Sequence, residues 1–352
     1  MQRHACLIAI AIAFVAGTAQ AEVQPDFDFF TSTWRATHVV VVDSAGVVIE
    51  SWKGDLASGA KIPTEQWKLP EKETVYYGDS EREPVPEYVK LPASAVLRTT
   101  GARRVFFLKR RDAGGIADAA TWQPPGIFGA ISESVAWVEN GQVFVLRYRE
   151  IHPGPPMMRP LRLTESQMKA KVLQLCELQH DLRAAAKEPD PLARAERLVS
   201  FLRPADRWAH LEALEAMKGC GKPAWRVVRR LLTQEEYLTI HHELVFAAME
   251  VAGSEAFGEL ERIVREESQY WSWVVKSGET PVEYNPPMSY HFSRLSCSLG
   301  VLKRLGYRDP EGIVAKLRTE WDADPRLAHL GSGGGDGRSP VLEHADEILN
   351  SR

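Results

Sequence analysis

The stretch Asp206–Glu267 reads DRWAHLEALEAMKGCGKPAWRVVRRLLTQEEYLTIHHELVFAAMEVAGSEAFGELERIVREE, and it decides the reading of the fold. Trp208, Leu211, Leu214, Ala216 and Met217 recur at helical spacing until Lys218-Gly219-Cys220-Gly221 stops the helix. Glycine accepts the left-handed backbone that helix ends need. Pro223 suits the first turn of a second helix, where a missing N–H costs nothing. Trp225, Val227, Val228, Leu231 and Leu232 give that helix its apolar stripe.

The plan then repeats. Thr233-Gln234-Glu235-Glu236 has the spacing of a capping box. Leu238, Ile240, Leu244, Val245, Ala248 and Val251 form the next stripe, Gly253-Ser254 ends it, and Phe257, Leu260, Ile263 and Val264 continue in a partner helix. Gly219 and Gly253 stand 34 residues apart (253 − 219), a solenoid-type period. A looser third copy runs through Phe292, Leu295, Leu299, Leu302 and Leu305 to Gly306, then Asp309-Pro310 as a cap and first-turn proline, then Ile313, Val314 and Leu317 as a second helix. One such pair cannot bury its apolar face alone, so neighbours must stack.

This pattern, with Gly221-Lys222-Pro223-Ala224 as its most specific turn, resembles HEAT-like repeats in their short bacterial form. The resemblance covers roughly Pro191 to Trp321 and implies an α-solenoid; an irregular helical bundle is the alternative.

The chain opens MQRHACLIAIAIAFVAGTAQA. A basic start at Arg3, a short apolar run and Ala19-Gln20-Ala21 predict a secretory signal peptide over residues 1–21, cleaved after Ala21. The expected location is periplasmic or secreted, with no membrane span after cleavage. Removing Arg3 leaves 42 basic against 47 acidic side chains, a charge of −5. That balance argues against nucleic-acid binding, which relies on a basic surface. The remaining cysteines, Cys176, Cys220 and Cys297, are odd in number and contain no Cys-x-x-Cys, so neither a disulfide scaffold nor a zinc knuckle is expected. Cys220, in a turn, is the expected exposed thiol.

Residues 22–150 read as a β-rich domain. Ala36–Val42 and Val47–Trp52 flank the turn Asp43-Ser44-Ala45-Gly46, and Arg104–Lys109 is apolar on both faces, as a central strand would be. Ser134–Glu139 and Gln142–Tyr148 flank Asn140-Gly141, the preferred tight-turn pair. Leu69–Pro92 and Arg111–Gly126 read as surface loops. The Ser51-Trp52-Lys53-Gly54-Asp55 element and the later Val105-Phe106-Phe107-Leu108 strand look similar to small netrin-like, OB-type β-barrels, without the N-terminal cysteine pair of that group. A small β-sandwich is the alternative.

Residues 151–163 read as a Pro-rich linker, with four prolines between His152 and Pro160. A capping box at Thr164–Gln167 starts a long helix to about Lys187, and 164–325 is the helical-repeat domain. Residues 326–352 read as a flexible Gly-rich tail with a short helix. The expected class is therefore α+β multidomain: a small β-barrel or β-sandwich, then an α-solenoid.

Function is less legible. Gly331–Gly337 fails as a phosphate loop because no Lys-Ser/Thr follows at the required spacing. No Gly-x-Ser-x-Gly is present. The spacing between turn glycines grows from 34 to 53 residues (306 − 253), which points to an insertion carrying Tyr270, Trp271, Trp273, Tyr284 and Tyr290. Aromatics in such a loop suit recognition of a protein or peptide, or else fill the groove as core. His241-His242-Glu243, helped by His210 and His291, is the one metal-type cluster, but adjacent helical histidines point about 100° apart and cannot share a metal unaided. The basic groups Arg103-Arg104 and Lys109-Arg110-Arg111 read as strand-end guards, and Arg226, Arg229 and Arg230 as a face paired to Glu235 and Glu236. The expectation is a non-enzymatic binding or scaffold protein with a protein or peptide partner and no cofactor. A metal-dependent hydrolase and a purely structural envelope protein are the alternatives.

Overall fold

The computed structural model describes residues 29–62, 74–77, 91–92, 103–110, 122–123, 135–147, 157–202, 207–281, 286–332 and 337–351. The signal-peptide reading, Arg111 and Tyr284 lie outside them; of the two long-loop readings, the described parts Thr74–Tyr77, Leu91–Pro92 and Trp122–Gln123 are strands, because each finds a pairing partner in the sheet, and the rest lies outside. The chain divides into two compact units, Met1–Glu177 and Leu178–Arg352, and the protein is mixed α+β.

The first unit begins with α1 (Phe29–Arg35), followed by β1 (His38–Val42) and β2 (Val48–Lys53). Then come β3 (Thr74–Tyr77), β4 (Leu91–Pro92), β5 (Arg103–Arg110), β6 (Trp122–Gln123), β7 (Val135–Glu139), β8 (Gln142–Arg147) and β9 (Met157–Thr164). Six of them, in the order β2-β1-β5-β7-β8-β9, form a curled antiparallel sheet; β3 adds to β9 in parallel, β4 to β3, and β6 to β5. Strand β1 pairs on both edges, with β2 and β5, and every residue of it is buried, which suits its run of four valines after His38. The β1–β2 turn closes as expected. Asp43 Oδ1 accepts from the amides of Ala45 and Val47, both at 2.9 Å. Arg104, instead of guarding a strand end, is buried and donates to the carbonyls of Asp43 and Ser44 in that same turn. The Asn140-Gly141 hairpin has positive φ at both residues, as its sequence demands.

The linker reading of 151–163 needs correction. Met157–Thr164 is a strand, paired with β8 along its length. Pro160 is accommodated opposite Phe144, where the register shifts, and β9 meets β3 only at Met157 and Met158. Proline is tolerated at such a bulge because no ladder donor is required there.

Helix α2 (Glu165–Ala186) follows, and the boundary between the units falls inside it. Its capping box forms: Thr164 Oγ1 accepts from the Gln167 amide and Gln167 Oε1 from the Thr164 amide.

The second unit holds α3 (Pro191–Leu198), α4 (Arg207–Lys218), α5 (Trp225–Leu231), α6 (His241–Ala252), α7 (Phe257–Ser277), α8 (Pro286–Arg304), α9 (Ile313–Ala323), α10 (Pro325–Ala328) and α11 (Pro340–Asn350). Gly221 (φ 63°, ψ −147°) and Gly253 (φ 55°, ψ −129°) share one backbone conformation, which only glycine adopts without strain. Each leads through a short 3-10 turn into the next helix, at Trp225 and Phe257. The matching turns are thus 32 residues apart (253 − 221), at Gly221 rather than Gly219.

Two local expectations differ. Thr233 does not cap; its hydroxyl donates back to the Arg230 carbonyl, and Glu235–Ile240 is a 3-10 segment before α6. Asp309 caps α9 from a distance, accepting from the amides of Val314 and Ala315, so Pro310 stays in the turn. The short helix expected in the tail is α11, which buries Val341, Leu342, Ala345 and Ile348 and lies against α8 and α9. Helix α8 is the hub of this unit, packed against α6, α7 and α11.

Candidate functional site

The expected aromatic insertion is helical, not a loop. Helix α7 runs on for 21 residues, through Tyr270, Trp271 and Trp273, to Gly278 in the left-handed region. Leu260, Ile263, Val264, Glu267, Trp271 and Val274 line its buried face at steps of three and four. Trp271 therefore points inward, fully buried, and meets Trp321 edge-on at 5.8 Å. It belongs to the core and not to a recognition surface. Tyr270 and Trp273, three residues apart, share the adjoining face. Their rings are 6.3 Å apart; Tyr270 is half-buried and Trp273 is 56% exposed.

His291, on the facing helix α8, stacks flat on Tyr270 with centroids 3.8 Å apart. Glu267 lies beneath, one turn before Tyr270 and almost fully buried. His291 Nδ1 is 3.2 and 3.0 Å from the two Glu267 oxygens. A carboxylate only accepts, so His291 Nδ1 carries a proton and donates it. Arg294, one turn along α8, donates to Glu267 at 2.7 Å, to Glu266 at 3.1 Å and to the Leu232 carbonyl at 3.3 Å. A buried carboxylate thus receives a guanidinium on one side and an imidazole on the other, which offsets its desolvation. Burial, with Glu267 and Glu279 nearby, raises the Tyr270 hydroxyl pKa.

The remaining histidines separate. His241 is buried, and its Nε2 lies 3.3 and 3.2 Å from the carbonyls of Leu231 and Gln234. His242 Nε2 is 2.9 Å from Glu243, and His210 Nε2 of α4 is 3.8 Å from the same carboxylate. Burial pushes the Glu243 carboxyl up, but the two imidazoles outweigh it and hold its pKa at about 2. These three side chains form a cluster in which two imidazoles approach one carboxylate. His241 and His291 are each engaged elsewhere. Among the described residues, no group of three His, Cys, Asp or Glu side chains is placed to hold a metal ion.

No family model, curated protein or solved structure matches this chain.

Of the five aromatics expected at a binding site, the structure brings Tyr270 and Trp273 together, sends Trp271 to the core and places Tyr290, half-buried, in the first turns of α8. The sequence reading missed Glu267, Arg294 and His291 as one unit. A usable signal was present: Glu267 occupies an apolar-stripe position of α7, where an acidic side chain needs a partner. Two surface expectations also change. Cys220 is buried, its thiol donating to the Ala216 carbonyl, and burial raises its pKa. Arg230 pairs with Glu196 and Arg229 with Glu259, rather than with Glu235 and Glu236.

Proposed function

We propose that this chain is a binding protein without a catalytic role, secreted or periplasmic, that recognises a protein or peptide partner through the Tyr270–Trp273 face of α7. The carrying observation is the exposed indole of Trp273. It is held on a regular helix beside Tyr270, whose ring is backed by His291. Rigid aromatics give contact area at small entropy cost, and a helix positions them better than a loop. We read the second unit as a short HEAT-like solenoid on the repeated Gly221 and Gly253 turns. The curled sheet we read as a small β-barrel or β-sandwich.

The test is capture of a partner from an envelope extract by wild type and by a folded Trp273→Ala variant. Capture by the wild type alone supports the reading; equal capture removes it. A metal-dependent hydrolase using His241, His242, Glu243, His210 and His291 is the competing reading, although among the described residues these side chains form no three-ligand metal group. Stoichiometric transition metal in the purified protein, lost in His242→Ala, would put that reading in its place.

A further inference from the structure

A tyrosine on a helix has two χ1 rotamers within reach, trans and gauche-minus. Tyr270 is only half-buried, so its own helix leaves both accessible, and exposed rings exchange between such wells quickly. The neighbouring helix selects one of them. His291 of α8 lies flat on the phenol ring, with centroids 3.8 Å apart and planes 19° apart. The contacts from α7 itself are looser: Trp271 meets the ring edge-on at 5.4 Å, and Trp273 lies 6.3 Å away, tilted by 37°.

The imidazole is placed with care for a half-buried side chain. Its Nδ1 donates to Glu267, three residues before Tyr270, so α7 supplies both the anchor and the ring, and His291 sits against both. That bond is not needed to satisfy the carboxylate, because Arg294 already donates to Glu267 at 2.7 Å. A buried ion network is also a weak source of stability compared with apolar side chains of the same volume. What His291 adds to the network is a flat surface, and that surface is spent on Tyr270.

We propose that His291 is a positioning residue for the Tyr270–Trp273 face: its stacked ring holds Tyr270 in one rotamer beside Trp273. The inference rests on the reading of that face as a recognition surface and adds how the face is ordered before a partner arrives. A ring fixed in advance loses less freedom on association, which favours binding without adding a contact. His291 acts through Tyr270 and needs no contact with the partner.

The test needs no partner. In the full-length protein, the χ1 populations of Tyr270 are measured from its Hα–Hβ couplings, with Tyr270→Phe assigning the signals. The wild type should show one rotamer. His291→Gln keeps a donor for Glu267 but has no ring, and Tyr270 should then average between two rotamers, as it should in His291→Ala. His291→Phe loses the donor but keeps a flat ring, and it should return Tyr270 to one rotamer. That rescue separates stacking from a general loss of packing, because the phenylalanine variant has also lost its bond to Glu267. Circular dichroism establishes that each variant is folded, and if His291→Ala is not, the glutamine and phenylalanine variants decide. Averaging in the wild type, a single rotamer in His291→Gln, or no rescue by His291→Phe would each overturn the proposal. Equal capture by the wild type and Trp273→Ala, in the experiment above, removes the recognition reading and leaves these couplings unchanged, so the two failures are read separately.

Discussion

Trp271 and Trp273 are two residues apart on one helix; the first has no exposed surface and the second is 56% exposed. Two steps along an α-helix turn a side chain through about 200°, so one ring packs against Trp321 while the other faces water.

Substitution separates these roles. Trp271→Ala opens a cavity beside Trp321 and should cost about 3–5 kcal/mol. Trp273→Ala should change stability by no more than about 0.5 kcal/mol, as an exposed site does. Urea unfolding followed by circular dichroism reads both. Similar losses for the two variants would mean that Trp273 is also structural, and its use as a binding probe would fail.

Glu267 is the keystone of the α7–α8 contact, since Arg294 and His291 both depend on it. Glu267→Gln leaves the Arg294 guanidinium buried with a weakened partner. Removing one member of a buried pair costs about 3–5 kcal/mol. His291→Ala, at the half-buried end of the network, should cost less. A denaturation series in which His291→Ala is the worse variant would reverse this ranking.

His241 should make the helical unit acid-sensitive. Burial lowers its pKa to about 4, assisted by the nearby Arg294 cation. Its Nε2–H already serves two carbonyls, and its buried Nδ1 has no partner, so a second proton would sit unpaired. The folded pKa lies below the unfolded value of 6.5, so the unfolded chain binds more protons between the two. This contribution is complete above pH 6.5 and is lost as the pH falls towards 4. Thermal midpoints measured across this window should fall more steeply for the wild type than for His241→Gln. Parallel curves would assign the acid sensitivity to other groups.

Gly54 bears on the sheet. Its φ is +87°, and a Cβ there would overlap the imidazole of His38. That ring is held between Thr37 Oγ1 at 3.0 Å and Asp55 Oδ1 at 2.7 Å. Gly54→Ala should cost more than about 1 kcal/mol, from the strained backbone and the displaced ring together. The His38→Ala background should recover part of that cost by making room. No recovery in the double variant would leave backbone strain as the whole effect.

Much of the local chemistry that acts over a few residues was legible in the sequence, although the Thr233 cap was not among it. The Asn140-Gly141 turn, the Thr164–Gln167 cap, the doubly apolar strands β1 and β5 and the pairing of helices around turn glycines all appear in the structure. Each depends on a backbone preference or a side-chain period that neighbours in sequence decide by themselves. The Pro-rich composition of 151–163 misleads because a pairing partner elsewhere, β8 for Met157–Thr164, outweighs local composition. The candidate site was half legible. Aromatic residues marked its place, and the helical period running through Leu260, Ile263, Glu267, Trp271 and Val274 already separated a core ring from a surface ring. Which charges meet was not legible. Glu267 joins His291 and Arg294 across 24 and 27 residues of chain, and Glu243 joins His210 from another helix. Helical period assigns a side chain to a face. Only the packing of α4 on α6 and of α7 on α8 decides which faces meet, because a buried charge is tolerated only where the opposing helix brings its partner.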